Sequence, residues 1–572
     1  MRIRQLLLLS LLFLFTYCSQ TKRQPDEVRL RFAVDPESLS PVSYNSAEAL
    51  QVVNLMFQSL LSADLADDEI KPYLAESMPV VERRDSVTYI TYTLRDGAKW
   101  SNGSPVTAND VAFTLKVLKA PLLNNEHLKP QVEFIKDIVV DEESPKKFTL
   151  VCDGYMPEMV LLSGDYFILP AYLFDPEGLL KPFKVTTFSE DLSELENNKS
   201  LKAYAQKFNS VDFAKNKQLL QGSAGYVLDE WVSGQYITLK RKDNWWGNNV
   251  DDAKHLTANP ERISFQIIPD NTTALLAIRN KQLDVLDNIP VAEFKQLQQD
   301  NSFMADYALH TPDSYEFTYA GLNSRLPKFS DKRTRQAIAH LLDVNSFIQV
   351  TQENFATASV GPVPPSIEEF YNSDIRPYSY SVQVAAKLLE AAGWQREQAG
   401  WFKTINGDRQ QLTIELNYRA GNNVLDNTAV IFQQSAAQAG IPVTIQPLEG
   451  SLLSQRSRSH NFDMFFRPIG GNPFVFNFKP LLHTAFAEEG GSNHTGFGTP
   501  ESDELLDAIN ATENEQEKAR QLKRLQSIIH DEAVFITLYY KKERLAIHKR
   551  FDDTRVSGLR PNYDVSSFTL SE

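Results

Sequence analysis

The stretch Tyr92-Thr-Leu-Arg-Asp-Gly-Ala-Lys-Trp-Ser-Asn-Gly-Ser-Pro-Val-Thr-Ala-Asn-Asp-Val111 decides how the rest of the chain is read. It opens in the tail of residues 88–94, where apolar and polar residues alternate with the period of a strand. Arg95-Asp96-Gly97 then supplies turn chemistry. Thr107 places a hydroxyl at a helix N-cap and Asp110 a carboxylate three residues on, a variant of the capping box. Val106 and Val111 are spaced as a hydrophobic staple, and Leu115 and Leu118 continue the helical spacing. Strand, turn and capped helix in immediate succession predict a mixed α/β fold.

The same grammar extends in both directions. Towards the N-terminus, residues 28–34 alternate as a strand, and residues 46–61 carry Val52, Val53, Met56, Leu60 and Leu61 along one helical side. Towards the C-terminus, two alternating runs flank Ser233-Gly234 and predict a hairpin. Ser330 is the expected N-cap of a helix whose inner face holds Ile338, Leu341 and Leu342. Residues 382–392 predict a helix ended by Gly393 at the left-handed C′ position. Residues 412–418, 427–439 and 441–446 read as strand, helix and strand, with Gly440 as the stop, a spacing that suggests a parallel unit. A strand is expected at 463–466, a helix opened by Thr499-Pro500, and a last helix with Leu522, Leu525, Ile528 and Ile529 inward.

Composition sets the outer limits. The 572 residues predict about three to four domains, and 42% hydrophobic content supports a sizeable core. A net charge of −15, from 58 Lys+Arg against 73 Asp+Glu, argues against a general nucleic-acid binder. Two cysteines exclude a disulfide-rich scaffold and a four-cysteine zinc site.

The N-terminus reads as an address. Arg2 and Arg4 precede an apolar run from Leu6 to Phe15, the pattern of a secretory leader and too short for a membrane span of about 20 residues. Cys18 follows at once and resembles the bacterial lipoprotein signal, although Tyr17 stands where that pattern has a small residue. The resemblance implies removal of residues 1–17, a lipid on Cys18, and residues 18–27 as a tether to a membrane surface. Loss of Arg2 and Arg4 takes the net charge from −15 to −17. Cys152 is then the sole unmodified thiol, read as a buried or incidental residue.

No phosphate loop, dinucleotide fingerprint, nucleophile elbow or His-Glu-x-x-His spacing occurs. His483 and His494 read as polar loop residues, and Asp67-Asp68-Glu69 and Asp251-Asp252 as solvated loop charges. No catalytic residue, metal site or cofactor is expected.

Five stretches in order resemble the family 5 extracellular solute-binding proteins, which include oligopeptide-, dipeptide- and nickel-binding proteins of ABC importers. They are Tyr92–Val111; Gly222-Ser-Ala-Gly-Tyr226 through Trp231 to Asp243-Asn-Trp-Trp-Gly247; residues 271–286; Gly321-Leu-Asn-Ser324 with residues 329–343; and residues 381–394. The resemblance implies a periplasmic binding protein-like α/β fold of class II, two lobes joined by a hinge, with an extra domain inserted in the first. The boundaries expected are lobe I from 28–62, 190–288 and 536–572, the inserted domain from 63–189, and lobe II from 289–535. It implies a monomeric, extracytoplasmic receptor that closes around a peptide or similar small solute and is recognised by ABC permease subunits.

Two segments are candidates for the cleft. Asp35, Pro36 and Glu37 correspond to a family loop that touches ligand backbone. Arg467, Ile469, Gly470, Gly471 and Asn472 follow the expected strand at 463–466. In peptide-binding relatives this second region carries an Asp for the peptide's ammonium, whereas here no acid stands from Phe465 to Leu482. A buried ammonium without a counter-charge is costly, so this departure matters. Glu37 is one possible replacement, and Arg467 offers a fork for a carboxylate or phosphate or forms a structural ion pair. The alternative to transport is an interaction protein that kept the fold, its cleft filled by Phe474, Phe476 and Phe478.

Overall fold

Two large sheets organise the chain. The computed structural model describes residues 26–571 except 190, 191, 193, 194, 211–213 and 252. The expected leader, Cys18 and nearly all of the expected tether lie outside the described residues.

The first sheet has seven strands in the order β12 (Tyr307–His310), β22 (Leu545–His548), β11 (Val285–Leu286), β1 (Glu27–Phe32), β10 (Arg262–Ile267), β9 (Tyr236–Arg241) and β8 (Tyr226–Val232). β1 and β10 are parallel, in register from Glu27 opposite Arg262 to Phe32 opposite Ile267. The second sheet runs β14 (Ala356–Ala358), β21 (Phe535–Lys542), β13 (Asp313–Leu322), β20 (Met464–Gly470), β18 (Ile414–Arg419) and β19 (Val443–Leu448). β18 pairs in parallel with β19, as the strand–helix–strand spacing predicts, and also with β20.

Between β1 and β8 lies the insertion, a sheet of β4 (Val80–Arg84), β5 (Val87–Thr93), β7 (Lys147–Asp153) and β6 (Ile135–Val140). Its core is continuous with that of the first lobe: Val28, Ile90, Phe148 and Phe265 belong to one buried cluster. Smaller pairings complete the set: β2 (Leu61–Asp64) with β3 (Glu69–Pro72), β15 (Gln395–Glu397) with β16 (Gly400–Ile405) and β17 (Asp408–Gln411), and β23 (Phe551–Asp552) with β24 (Thr569–Leu570).

The chain crosses between the large sheets twice, at Thr311-Pro312 and at Glu543-Arg544. Both crossings are strand running into strand, because β12 pairs with β22 and β13 with β21, both antiparallel. Two expected boundaries therefore move. Residues 307–310 belong to the first sheet, and the second lobe extends through Lys542. No switch occurs at 535, since Phe535–Lys542 is one unbroken strand of the second sheet.

Local signals hold with small corrections. Asp110 accepts from both the Thr107 backbone N–H (2.8 Å) and its hydroxyl (3.0 Å). The helix expected over 46–61 is Ala47–Met56, capped by Ser46. It stops where Gly222 abuts it: a Cβ there would meet the Met56 carbonyl oxygen at 2.3 Å. Asp331, not Ser330, caps Lys332–Ala339, its carboxylate accepting from the Arg333 N–H at 2.9 Å. An anion at a helix N-terminus also meets the helix dipole favourably.

Asp284 knits the first lobe. Its side chain is fully buried between Arg29 and Arg550. The carboxylate accepts from Arg29 Nε at 3.1 Å, from Arg550 Nε and Nη2 at 3.0 Å each, and from the Arg29 backbone N–H at 2.9 Å. Burial alone would raise its pKa; the hydrogen bonds and charges of Arg550 and Arg29 outweigh burial and hold it below the ordinary value. Removing one member of a buried ion cluster costs about 3–5 kcal/mol, so Asp284→Asn should lower the urea midpoint by a matching amount. The wild-type contribution is complete above the unfolded carboxyl value and is lost as pH falls through the folded one. The variant should lack that acid limb, and equal midpoints at neutral pH would refute the assignment.

Candidate ligand cavity between the lobes

A cavity of about 500 Å³ opens where four parts of the chain converge. That volume lies within the usual range for small-molecule sites. The helix Ala47–Met56 contributes Leu50, Gln51 and Asn54, and the residues just beyond it Phe57, Gln58 and Ser59. The inserted domain gives Asp165, Tyr166 and Phe167, and the C-terminal segment gives Arg560, Pro561 and Tyr563. The second lobe contributes Asn472 and Phe474. Hydroxyls, amides and aromatic rings dominate: Gln51 Nε2 donates to Tyr563 Oη at 2.9 Å, and Tyr44 stands edge-on to Phe167 with centroids 6.0 Å apart.

Most charged groups on the wall are engaged. The Asp564 carboxylate accepts from the Ser566 N–H (3.0 Å) and hydroxyl (2.6 Å) and faces Arg555 at 3.5 Å. His255 Nε2 lies 2.9 Å from the Pro72 carbonyl, and burial lowers its pKa, which favours the neutral ring. Arg560 sits 3.7 Å from Glu316.

Asp165 differs. It follows the short helix Met159–Gly164, where Gly164 packs so closely on Leu61 that a Cβ would lie 2.5 Å from Leu61 Cγ. That contact fixes the helix exit and brings Asp165 to the cavity. Asp165 is itself exposed, yet the protein crowded around it pushes the carboxyl up to about 7. Among the described residues, no hydrogen bond or ion pair reaches its side chain. Burial, with the Asp165 charge second, pushes the Tyr44 hydroxyl up to about 12.

Of the eight residues expected at the cleft, Asn472 lines this cavity, and its side chain also accepts from the N–H groups of Phe474 and Val475. Asp35 is taken up by the β8–β9 turn, accepting from Trp231 Nε1 (3.0 Å), Ser233 Oγ (2.7 Å) and the Gly234 N–H (2.7 Å). Burial would raise its pKa, but these hydrogen bonds and nearby Lys215 hold it below the ordinary value. Pro36 is buried, and Glu37 is exposed and accepts from Asn45. Arg467 lies 3.4 Å from His494, whose pKa is pushed down to about 4 by burial and then by Arg467. No carboxylate pairs with Arg467 among the described residues, so the structural ion pair is not formed. Ile469 packs against the second lobe's core, and Gly470 and Gly471 are exposed at the end of β20, where the Gly471 N–H donates to the Tyr315 carbonyl.

Phe476 is buried against Phe370, and Phe478 packs on the same cluster, so only Phe474 of the three reaches the cavity. The filled cleft of the non-transport alternative is not formed. The polar face of the helix Ala47–Met56, with Gln51 and Asn54, could have been found from its spacing. Asp165 carried no local signal, because only the packing of Gly164 on Leu61 places it.

The lobes touch across the cleft. Tyr315 of β13 donates to Asp68 at 2.7 Å. Arg83 of β4 pairs with Glu513 at 2.9 Å and lies over the Tyr155 ring.

Comparison with known proteins gives one consistent answer. The family model described as bacterial extracellular solute-binding proteins, family 5 Middle, matches residues 69–491. The oligopeptide-binding protein AppA of Bacillus subtilis (strain 168) is 22% identical over 534 residues, 92% of this chain and 89% of the relative. The nickel-binding periplasmic protein of Escherichia coli (strain K12) is 24% identical over 525 residues, 90% and 89% of the two chains. The crystal structure of NikA from Brucella suis in complex with Fe(III)-EDTA superposes with a TM-score of 0.72 at 19% identity, covering 95% of this chain and all of that one. At that identity the likeness establishes the fold.

The Asp165 carboxyl rises on folding from 3.8 to about 7. Between those values the unfolded chain is the more ionised, so this group lowers stability as pH rises through the window. Solvent screens part of that cost because Asp165 is exposed, so Asp165→Asn should melt only slightly higher than wild type above about pH 7, with the gap closing towards acid. Calorimetry across pH checks this; parallel melting curves would refute it.

Proposed function

The chain belongs to family 5 of the bacterial extracellular solute-binding proteins, and from that premise we propose that it captures a peptide or similar small solute between its lobes. The observation that carries this reading is a cavity of about 500 Å³ walled by both lobes, beside a hinge of two paired strands. Its hydroxyl, amide and aromatic lining suits peptide groups, which offer backbone donors and acceptors together with apolar side chains. The work is binding, not catalysis: a ligand that touches both lobes favours the closed arrangement by its differential affinity for it. The closed form then presents itself to ABC permease subunits. The protein acts as a monomer, held at the extracytoplasmic membrane surface by a lipid on Cys18.

Native mass spectrometry of the chain beginning after Cys18 tests the ligand. A co-purified mass that leaves on denaturation and fragments as a peptide supports the reading. A clean mass, with no melting shift from a peptide library, refutes it. Anchoring is tested separately: Cys18→Ser should move the protein from the membrane to the soluble fraction, and unchanged partitioning would exclude the lipid.

A further inference from the structure

Resting on the reading of the cavity as the solute site, we infer that Gln58, together with the Gln51–Tyr563 pair, is a subsite for an uncharged amide group of the ligand. Gln58 lines the cavity and is 4% exposed. Its Oε1 is buried without a partner, and no hydrogen bond reaches either end of its carboxamide among the described residues. A buried amide left unpaired costs stability, and a methionine would fill the same place without that cost. As packing the amide is a poor choice; it becomes useful once something pairs with it.

The backbone at Gln58 is held in place. The helix Ala47–Met56 ends just before it, and the Gln58 carbonyl accepts from the Ile168 N–H of the inserted domain at 3.0 Å. The last torsion of a glutamine is broad, so either its oxygen or its amino group can turn to the open side. The rest of the subsite shares this unspent capacity. Gln51, from the same helix, donates through Nε2 to Tyr563 Oη at 2.9 Å, and Tyr563 is 2% exposed. Neither side chain makes another hydrogen bond among the described residues. A carboxamide and a hydroxyl bonded once keep at least one donor and one acceptor between them, whichever way the amide is turned. An amide of the ligand, with one N–H and one carbonyl, is the complement. A charged group is not, because none of the three side chains carries a charge to meet it.

The test starts from the tightest binder in a random tetrapeptide library, found by native mass spectrometry. It adds three analogues, each with one backbone amide replaced by an ester, which keeps the shape and removes the N–H donor. In titration calorimetry, wild type should bind one analogue about fivefold or more weakly than the parent, the scale of a single hydrogen bond. Gln58→Met, which keeps the side chain's length and loses its hydrogen bonds, should abolish that penalty and leave those of the other two analogues unchanged. Gln51→Met should reduce the same penalty, and it decides the matter if Gln58→Met does not fold. A wild type indifferent to all three esters, or a penalty unchanged in both variants, overturns the subsite and leaves peptide capture standing. No binding of the library by wild type overturns peptide capture, and the subsite with it.

Discussion

Everything in this molecule turns on a single ribbon. The chain passes from one lobe to the other along two antiparallel strands that are hydrogen-bonded in both sheets, β12 into β13 and β21 into β22. Between the sheets the pairing is kept by the Glu543 N–H, which donates to the Pro312 carbonyl at 2.9 Å. The Glu543 carboxylate is buried and receives the Ser314 hydroxyl at 2.9 Å, with Lys541 at 3.3 Å. Two paired strands hold their register, so the lobes cannot slide past one another; what remains is bending of the ribbon. That restriction makes the facing walls of the cavity repeatable, and repeatable walls are what selective binding requires.

The contacts across the cleft are few and polar. Tyr315 to Asp68, Arg83 to Glu513 and Arg560 to Glu316 are single links, and the two ion pairs are largely exposed. Exposed ion pairs of this kind contribute little, typically less than about 1 kcal/mol. The arrangement of the lobes is therefore not locked by the protein itself. A solute that bridges the two walls has room to decide the balance.

Legibility divided along the line between local and tertiary causes. Thr107 and Gly440 act through the few residues beside them, and their helix ends are where capping chemistry puts them; the helix that Gly440 ends begins at Asn423, not 427, because Asn422 caps it. The five motif stretches are readable for the same reason, because they serve the fold: Trp245 and Trp246 both donate to the Ser223 carbonyl, and Arg335 is buried against Phe329, Ser330 and Glu532. The lobe boundaries were harder, since a strand that changes sheets needs no turn residue. The cavity was hardest. Asp35 has the composition of a binding residue but closes a hairpin turn, and Asp165 has no local mark yet faces the open space. Which acid faces the cavity depends on how an insertion packs on its host.

The knot of Asp284, Arg29 and Arg550 has a bearing on how the chain is made. Arg550 also donates to the Glu27 carbonyl, 523 positions earlier. β22 fills the place between β11 and β12, so the first sheet has a vacant slot until nearly the whole chain has emerged. The second lobe is contiguous, but its sheet waits almost as long, for β21, which lies between β14 and β13. Both sheets are thus completed only when the end of the chain is made, although β1 finds its own neighbours, β10 and β11, much earlier. Such distant pairings are slow to form. An unfinished first lobe leaves the chain threadable for longer.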